Sequence, residues 1–218
     1  MFDFTEIKVI GFDLDQTLYE KSHEVDAEIQ SYIYEKISTQ KKCSLEEAEL
    51  LFSGLYKNGR GLSGSKTLET LGVPNAGEVV QEALEFANIA SVLVPNKATI
   101  SLLKNIKETY KNIDLLTGSN DSNASIKLAK LNIGKEIFGT IFTADNASKS
   151  DGSMYKLWLD TYDFPAEKFL YIGDRPMSDY EIPKKYGIKS ILVNVKEQDP
   201  SIDCLQLKNL SDLNQYLL

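Results

Sequence analysis

The second half of the chain alternates between helical and strand-like segments, and this alternation constrains the fold more than any other feature. After Pro95, residues 100–110 read as a helix and 113–116 as a short apolar strand. Residues 124–131 are helical again, and 137–142 are strand-like. A helix over 154–162 precedes a strand at 169–172, and a helix near 179–186 precedes a strand at 190–193. Such alternation predicts an α/β fold, a doubly wound and mostly parallel sheet with right-handed crossovers. A further strand, residues 8–12, stands apart at the start of the chain, where Val9, Ile10 and Phe12 are β-branched or aromatic. Between it and the alternating region the texture is helical. Val25, Ile29, Tyr32, Ile33 and Ile37 recur at three- and four-residue steps, Ser44 to Glu47 is a capping-box pattern, and Val79, Val80 and Ala83 mark another helix after Pro74. The first strand must therefore rejoin its sheet across an all-helical insertion. The expected division is a core of 1–19 with 94–218, and an inserted α-helical domain of 20–93.

In open parallel sheets, ligands bind outside the carboxyl ends of the strands. The first strand ends in Asp13-Leu-Asp15-Gln-Thr17. Side chains two apart on a strand share a face, so Asp13 and Asp15 lean the same way if the strand continues. Two acids so close titrate as a coupled pair unless a cation sits between them. Taken alone, these acids are equally compatible with turn and helix-cap chemistry. The strand at 113–116 ends in Thr117-Gly118-Ser119-Asn120, where a hydroxyl and exposed amides could meet an anion, although the same residues make ordinary turns and N-caps. The strand at 169–172 ends in Gly173-Asp174, with Asp179 five residues on, in what also reads as a capping box, Ser178 to Glu181. Lys149 stands ahead of that strand in a polar loop.

Composition narrows the partners. The chain has 218 residues and a net charge of −8, which argues against binding a nucleic-acid polymer by bulk electrostatics. No stretch has the length of a membrane span, and the first residues lack a basic and then apolar leader pattern. The two cysteines, Cys43 and Cys204, lie far apart without metal-site spacing. Together these predict a cytoplasmic protein that engages neither membrane nor nucleic acid.

Asp13-x-Asp15-x-Thr17, Thr117, Lys149 and Gly173-Asp174-x4-Asp179 resemble, in order and across the whole chain, the four motifs of the haloacid dehalogenase superfamily. The spacing to Asp174 selects Lys149 over Lys156, and the helical insertion after the first motif is similar to the α-helical cap of many members. The resemblance implies that Asp13 is a nucleophile attacking phosphorus to give an aspartyl-phosphate. Asp15 is implied as general acid and then general base. That role asks for a carboxyl held neutral until needed, with repulsion from Asp13 supplying the push. The implied cofactor is Mg2+, held by Asp13, the Asp15 backbone carbonyl and Asp174, a hard-oxygen set that suits this ion. Thr117, Gly118 and Lys149 are implied to bind the phosphoryl oxygens, and Asp179 to orient Lys149 or a metal-bound water. An acid at position 15 argues against the dehalogenase and phosphonatase branches, which leaves a phosphatase acting on a small-molecule phosphate ester.

Two departures from the family pattern stand out: Ser150 follows Lys149 where proline is usual, and Pro183 falls inside the helix after Asp179. Tyr56 to Leu62, with Leu18-Tyr19, is similar to the pyrimidine 5′-nucleotidase-like branch. This nominates Arg60 and Lys66 as contacts to a nucleoside monophosphate, against the alternative of a glycine-rich loop with solvated basic residues. Gly64-Ser-Lys66-Thr67 looks like a P-loop fragment, but no strand precedes it and it is rejected. A phosphosugar mutase, and less favourably a non-catalytic binding protein, are the rival readings of the same motifs.

Overall fold

The computed structural model describes residues 4–57, 62 and 64–218. Its strands are β1 (Val9–Phe12), β2 (Asn112–Leu116), β3 (Ile141–Phe142), β4 (Phe169–Gly173), β5 (Lys189–Leu192) and β6 (Leu205–Gln206). They form one sheet in the order β3-β2-β1-β4-β5-β6, and every pairing is parallel. β1 is therefore central, hydrogen-bonded to β2 on one side and β4 on the other. The strand order reverses direction at β1 and β4, the kind of switch point where an α/β sheet opens a crevice. All residues of β1 and β4 are buried, as expected of parallel strands covered on both faces.

The chain divides into two compact units, residues 1–20 with 93–218, and residues 21–92. The first unit carries the sheet and the helices α5 (Lys97–Thr109), α6 (Asp121–Lys130), α7 (Ser153–Leu159), α8 (Ile182–Lys185) and α9 (Asn214–Leu217). Its core is strongly aromatic. Trp158 of α7 meets Phe169 edge-on, with ring centroids 4.9 Å apart, and Tyr171 at 6.0 Å. Gly11 makes room for the indole, since a Cβ there would stand 2.8 Å from two atoms of the Trp158 ring. The indole Nε1–H donates to Asp114, a fully buried carboxylate on β2, at 2.8 Å.

The second unit holds α1 (His23–Lys41), α2 (Leu45–Tyr56), α3 (Gly64–Thr70) and α4 (Ala76–Phe86). Ile33, Ile37, Phe52, Leu68, Val79 and Ala83 pack together as its own core. The capping box at Ser44 and Glu47 is present in both directions.

Several local expectations need correction. The third strand is only Ile141–Phe142, because Lys135–Ile137 closes a 3-10 turn and the Gly139 N–H turns in to Ile113 O at 2.7 Å. The stretch around Lys66 is helical, as α3, with the lysine exposed, while the glycine-rich segment of Tyr56 to Leu62 falls largely outside the described residues. Ser178 to Glu181 makes no capping box: Met177–Glu181 is a π-helical turn running into α8. Pro183 supplies the reason. It has no N–H to donate to the carbonyl four residues back, and the Ile182 N–H bonds to Met177 O instead. β6 was not anticipated, since two residues are too few to carry a period.

Candidate active site

The carboxyl ends of β1, β2 and β4 lie side by side and deliver the chemistry-bearing residues. β1 ends at Phe12, but the ladder runs one residue further through Asp13 N–H to Ile172 O, at 2.8 Å. The chain then turns, with Gln16 in the left-handed region at φ 60°. Asn194, itself at φ 57°, donates from Nδ2 to Gln16 O at 2.7 Å and holds the turn shut. Because the strand does not continue, Asp13 and Asp15 do not form an isolated pair on a shared face. Each is matched to its own lysine.

Asp13 Oδ1 accepts from Lys149 Nζ at 2.8 Å, and its Oδ2 from Thr17 Oγ1 at 3.3 Å. Lys149 Nζ is shared with Asp179 Oδ1 at 2.7 Å and stands 5.1 Å above the Tyr171 ring. Asp179 is fully committed. Its Oδ2 accepts the backbone N–H groups of Asp174 (3.1 Å) and Arg175 (2.9 Å), and its Oδ1 also accepts from Ser178 Oγ at 2.9 Å. The carboxylate folds back over β4, where Gly173 lacks a side chain; a Cβ there would sit 2.4 Å from it. Lys149 itself is held by a serine-tied loop. The Ser150 N–H donates to Ser148 Oγ, and the Met154 N–H to Ser148 O. Hydrogen bonds thus supply rigidity where proline is absent.

Asp15 has three donors. Tyr19 Oη and Lys127 Nζ each reach Oδ1 at 2.6 Å, and Ser119 Oγ reaches Oδ2 at 2.9 Å. Thr117 is fully buried at the end of β2, its Oγ1 accepting from the Ser119 N–H at 3.1 Å, so the hydroxyl proton is the group it can offer. Gly118 is exposed with open space around its Cα, and Asn120 caps α6 by accepting the Asn123 N–H. Lys66 lies in the second unit, paired with Glu69 at 2.9 Å. Arg60 lies outside the described residues.

Electrostatics divide the acids. Burial pushes Asp13 up to about 6, against the pull of Lys149 and helped by repulsion from Asp179 and Asp15. Burial, with Asp13 and Asp179 nearby, pushes Asp174 up to about 7. Burial would raise Asp15 as well, but Lys127 beside it, with the hydrogen bonds from Lys127, Tyr19 and Ser119, holds it below the usual carboxylate value. The expected assignment is thereby reversed: Asp13 carries the raised affinity for a proton, and Asp15 is the ionised partner. Lys149 is raised, because Asp13 and Asp179 outweigh its own desolvation.

Oxygen atoms of Asp13, Asp174 and Asp179 all lie within 4.8 Å of one another. Among the described residues Asp174 Oδ1 is buried with no hydrogen-bond partner, and Arg175 Nε comes only to 4.0 Å. A buried carboxylate oxygen left without a donor is costly, and a hard divalent cation among these oxygens would satisfy it. The donor set fits Mg2+. Asp179 already takes four protein donors against two on Asp13, so Asp13 and Asp174 are the better ligands.

Sequence reasoning missed Lys127, Tyr19, Ser119 and Asn194. The signal for Lys127 was in the helix register: Ala124, Lys127, Leu128 and Leu131 fall on one stripe, and all four are buried.

A parallel doubly wound sheet with these acids and lysines at its carboxyl edge defines a class of α/β hydrolytic enzymes. A family model described as haloacid dehalogenase-like hydrolase matches residues 10–193, and the chain belongs to that family. It is 24% identical over 195 residues to a glyceraldehyde 3-phosphate phosphatase from Methanocaldococcus jannaschii, covering 86% of this chain and 85% of the relative. Among solved structures it resembles a haloacid dehalogenase-like hydrolase from Streptococcus pneumoniae, with TM-score 0.69, 16% identity, and 98% and 100% of the two chains covered. A haloacid dehalogenase-type phosphatase from Thermococcus onnurineus gives TM-score 0.66 and 18% identity, with 96% and 97% covered. Among the described residues no helix is long and apolar enough to cross a membrane.

Proposed function

We propose that the protein is a Mg2+-dependent phosphomonoester hydrolase working through an aspartyl-phosphate at Asp13. The observation that carries this reading is the Asp13 carboxylate, held by Lys149 beside the unpartnered oxygen of Asp174. Asp13, Asp174 and the Asp15 backbone carbonyl would hold the ion, which would neutralise charge on the acids and on the phosphoryl group. An Asp13 oxygen forms a bond to phosphorus as the ester P–O bond breaks, and the leaving oxygen takes the proton that the substrate's phosphate monoanion brings, passed on through the Asp15 carboxylate. Water then attacks phosphorus, giving its proton to Asp15, and the Asp13–phosphorus bond breaks to release phosphate. Lys149 and the Thr117 hydroxyl, with the exposed Gly118 backbone, receive the phosphoryl oxygens, where charge stabilisation counts most. Asp179 orients Lys149.

Residues 21–92 act as a cap that selects the alcohol half of the substrate, which is a small phosphorylated metabolite. The M. jannaschii relative's name points to a triose phosphate, and the Tyr56 to Leu62 pattern to a pyrimidine nucleoside monophosphate. Phosphate release measured over both classes of ester, with Mg2+ and with a chelator, tests the reading. Wild type is expected to release phosphate only with metal, and Asp13→Asn to lose at least about 1,000-fold, since it removes the nucleophile. Near-full activity in Asp13→Asn would remove Asp13 from this role. A preference for nucleotides over trioses would favour the nucleotidase reading of the substrate.

A further inference from the structure

Lys127 is a lysine in the wrong place for a surface residue. It sits on the apolar stripe of α6, between Ala124 and Leu131, and only 2% of it is exposed. A leucine would fill such a position without desolvating a charge, and buried ion pairs are often replaceable by apolar side chains at no loss of stability. What the lysine adds is a fixed donor. Its Nζ meets Asp15 Oδ1 at 2.6 Å and Ser119 Oγ at 2.9 Å, and Ser119 Oγ in turn donates to Asp15 Oδ2 at 2.9 Å. Tyr19 Oη closes the other side of Oδ1. Three donors from three places, namely the turn after β1, the loop after β2, and α6, converge on one carboxylate. With donors on both oxygens, rotation about the carboxylate's χ angles breaks at least one short hydrogen bond in either direction.

We propose that Lys127 is a positioning residue for proton transfer: with Tyr19 and Ser119 it fixes the Asp15 carboxylate in the single orientation from which it serves the leaving oxygen. The inference rests on the phosphatase reading and adds to it a residue outside the four motifs. In the transfer step the Asp13–phosphorus bond forms, the ester P–O bond breaks, and the proton brought by the substrate's phosphate monoanion passes through the Asp15 carboxylate to the departing oxygen. A misaimed Asp15 therefore penalises esters whose leaving oxygen is strongly basic, and largely spares esters whose leaving group departs as a stable anion.

The test compares kcat/KM for glycerol phosphate and dinitrophenyl phosphate, both with Mg2+, in wild type, Lys127→Met, Asp15→Asn and the double variant, with Tm recorded for each. General acid catalysis contributes about 100-fold or more. Lys127→Met is accordingly expected to lose about 100-fold on glycerol phosphate and less than about 10-fold on dinitrophenyl phosphate. If Lys127 acts through Asp15, adding Lys127→Met to Asp15→Asn changes the ratio of the two substrates by no more than about threefold, because coupled residues are not additive. Equal losses on both esters, or an additive double variant, would overturn the proposal while leaving the phosphatase reading intact. Absence of phosphate release by wild type from either ester would overturn both. Should Lys127→Met fail to fold, Tyr19→Phe and Ser119→Ala carry the test, since each removes one donor without stranding a charge. Each is expected to lower the glycerol phosphate rate selectively, and an unchanged substrate ratio in both would sink the idea.

Discussion

Asp114 is a fully buried acid and Asp15 a partly buried one, on or beside the central strands, yet they have opposite uses, and the donors around them tell the two apart. Asp114 receives Trp158 Nε1 at 2.8 Å, the Thr140 N–H at 2.8 Å and Tyr162 Oη at 3.0 Å, so every donor comes from a neutral group in the core. Burial raises its affinity for a proton, with the hydrogen bonds from Trp158, Tyr162 and Thr140 pulling the other way. It is a staple between β2 and the segment around α7. Asp114→Asn turns one acceptor oxygen into a donor facing another donor. It is expected to cost about 1–3 kcal/mol, as for a buried group left unsatisfied, read as a fall in urea midpoint with unchanged m-value. The acids of the site are surrounded instead by lysines, hydroxyls and each other. In the sequence the difference was only partly legible. Asp13, Asp15 and Asp174 stand where apolar strands stop, and that position announces them. Lys127 is one charge among several in a polar helix, and its meaning depended on the register of a stripe and on which strand that helix faces.

At the scale of elements, the turn after β4 shows how backbone shape and chemistry are coupled. Pro183 cannot close an α-helical hydrogen bond, a π turn forms, and Asp179 falls back across Gly173 to collect two backbone N–H groups and Lys149. Gly173→Ala places a methyl 2.4 Å from the Asp179 carboxylate, so the acid must move and release the lysine. The expected result is a loss of about 100-fold or more in phosphate release, the order seen when a charge-stabilising donor is removed. A Tm drop of no more than the few degrees of a strained turn is expected alongside it. A variant with normal activity would mean that Asp179 does not hold Lys149 in place. The sequence pattern anticipated the Gly-Asp pair and the interfering proline. It could not anticipate the π turn, because a capping-box spelling and a π turn share the same residues here, and only the missing N–H decides between them. The true bounds of β3, read from the sequence as 137–142, and the whole of β6 escaped for a different reason: edge strands this brief carry too few side chains to make a period.

At the scale of the molecule, the two units have separate cores and the candidate site draws its described side chains from the first. An ion bound at Asp13 and Asp174 stabilises what it binds by mass action, about 2.7 kcal/mol at 100 times its dissociation constant. Added Mg2+ is therefore expected to slow amide hydrogen exchange in residues 1–20 and 93–218, measured by mass spectrometry. In Asp174→Asn the effect should shrink. Slowing confined to 21–92 would place the ion elsewhere.

The Asn194 tether has one more consequence, in the order of events as the chain is made. Asp13 follows directly on β1, yet the strands beside it come from residues 112–116 and 169–173, and the turn after it is pinned by a side chain 178 positions beyond Gln16. Contacts of such long range form late, because the loops they close must be ordered first. A nascent chain stopped before Asn194 thus holds both acids of its first motif and lacks the clasp that shapes them. Asp13 and Asp15 therefore take their final setting only after Asn194 has been made.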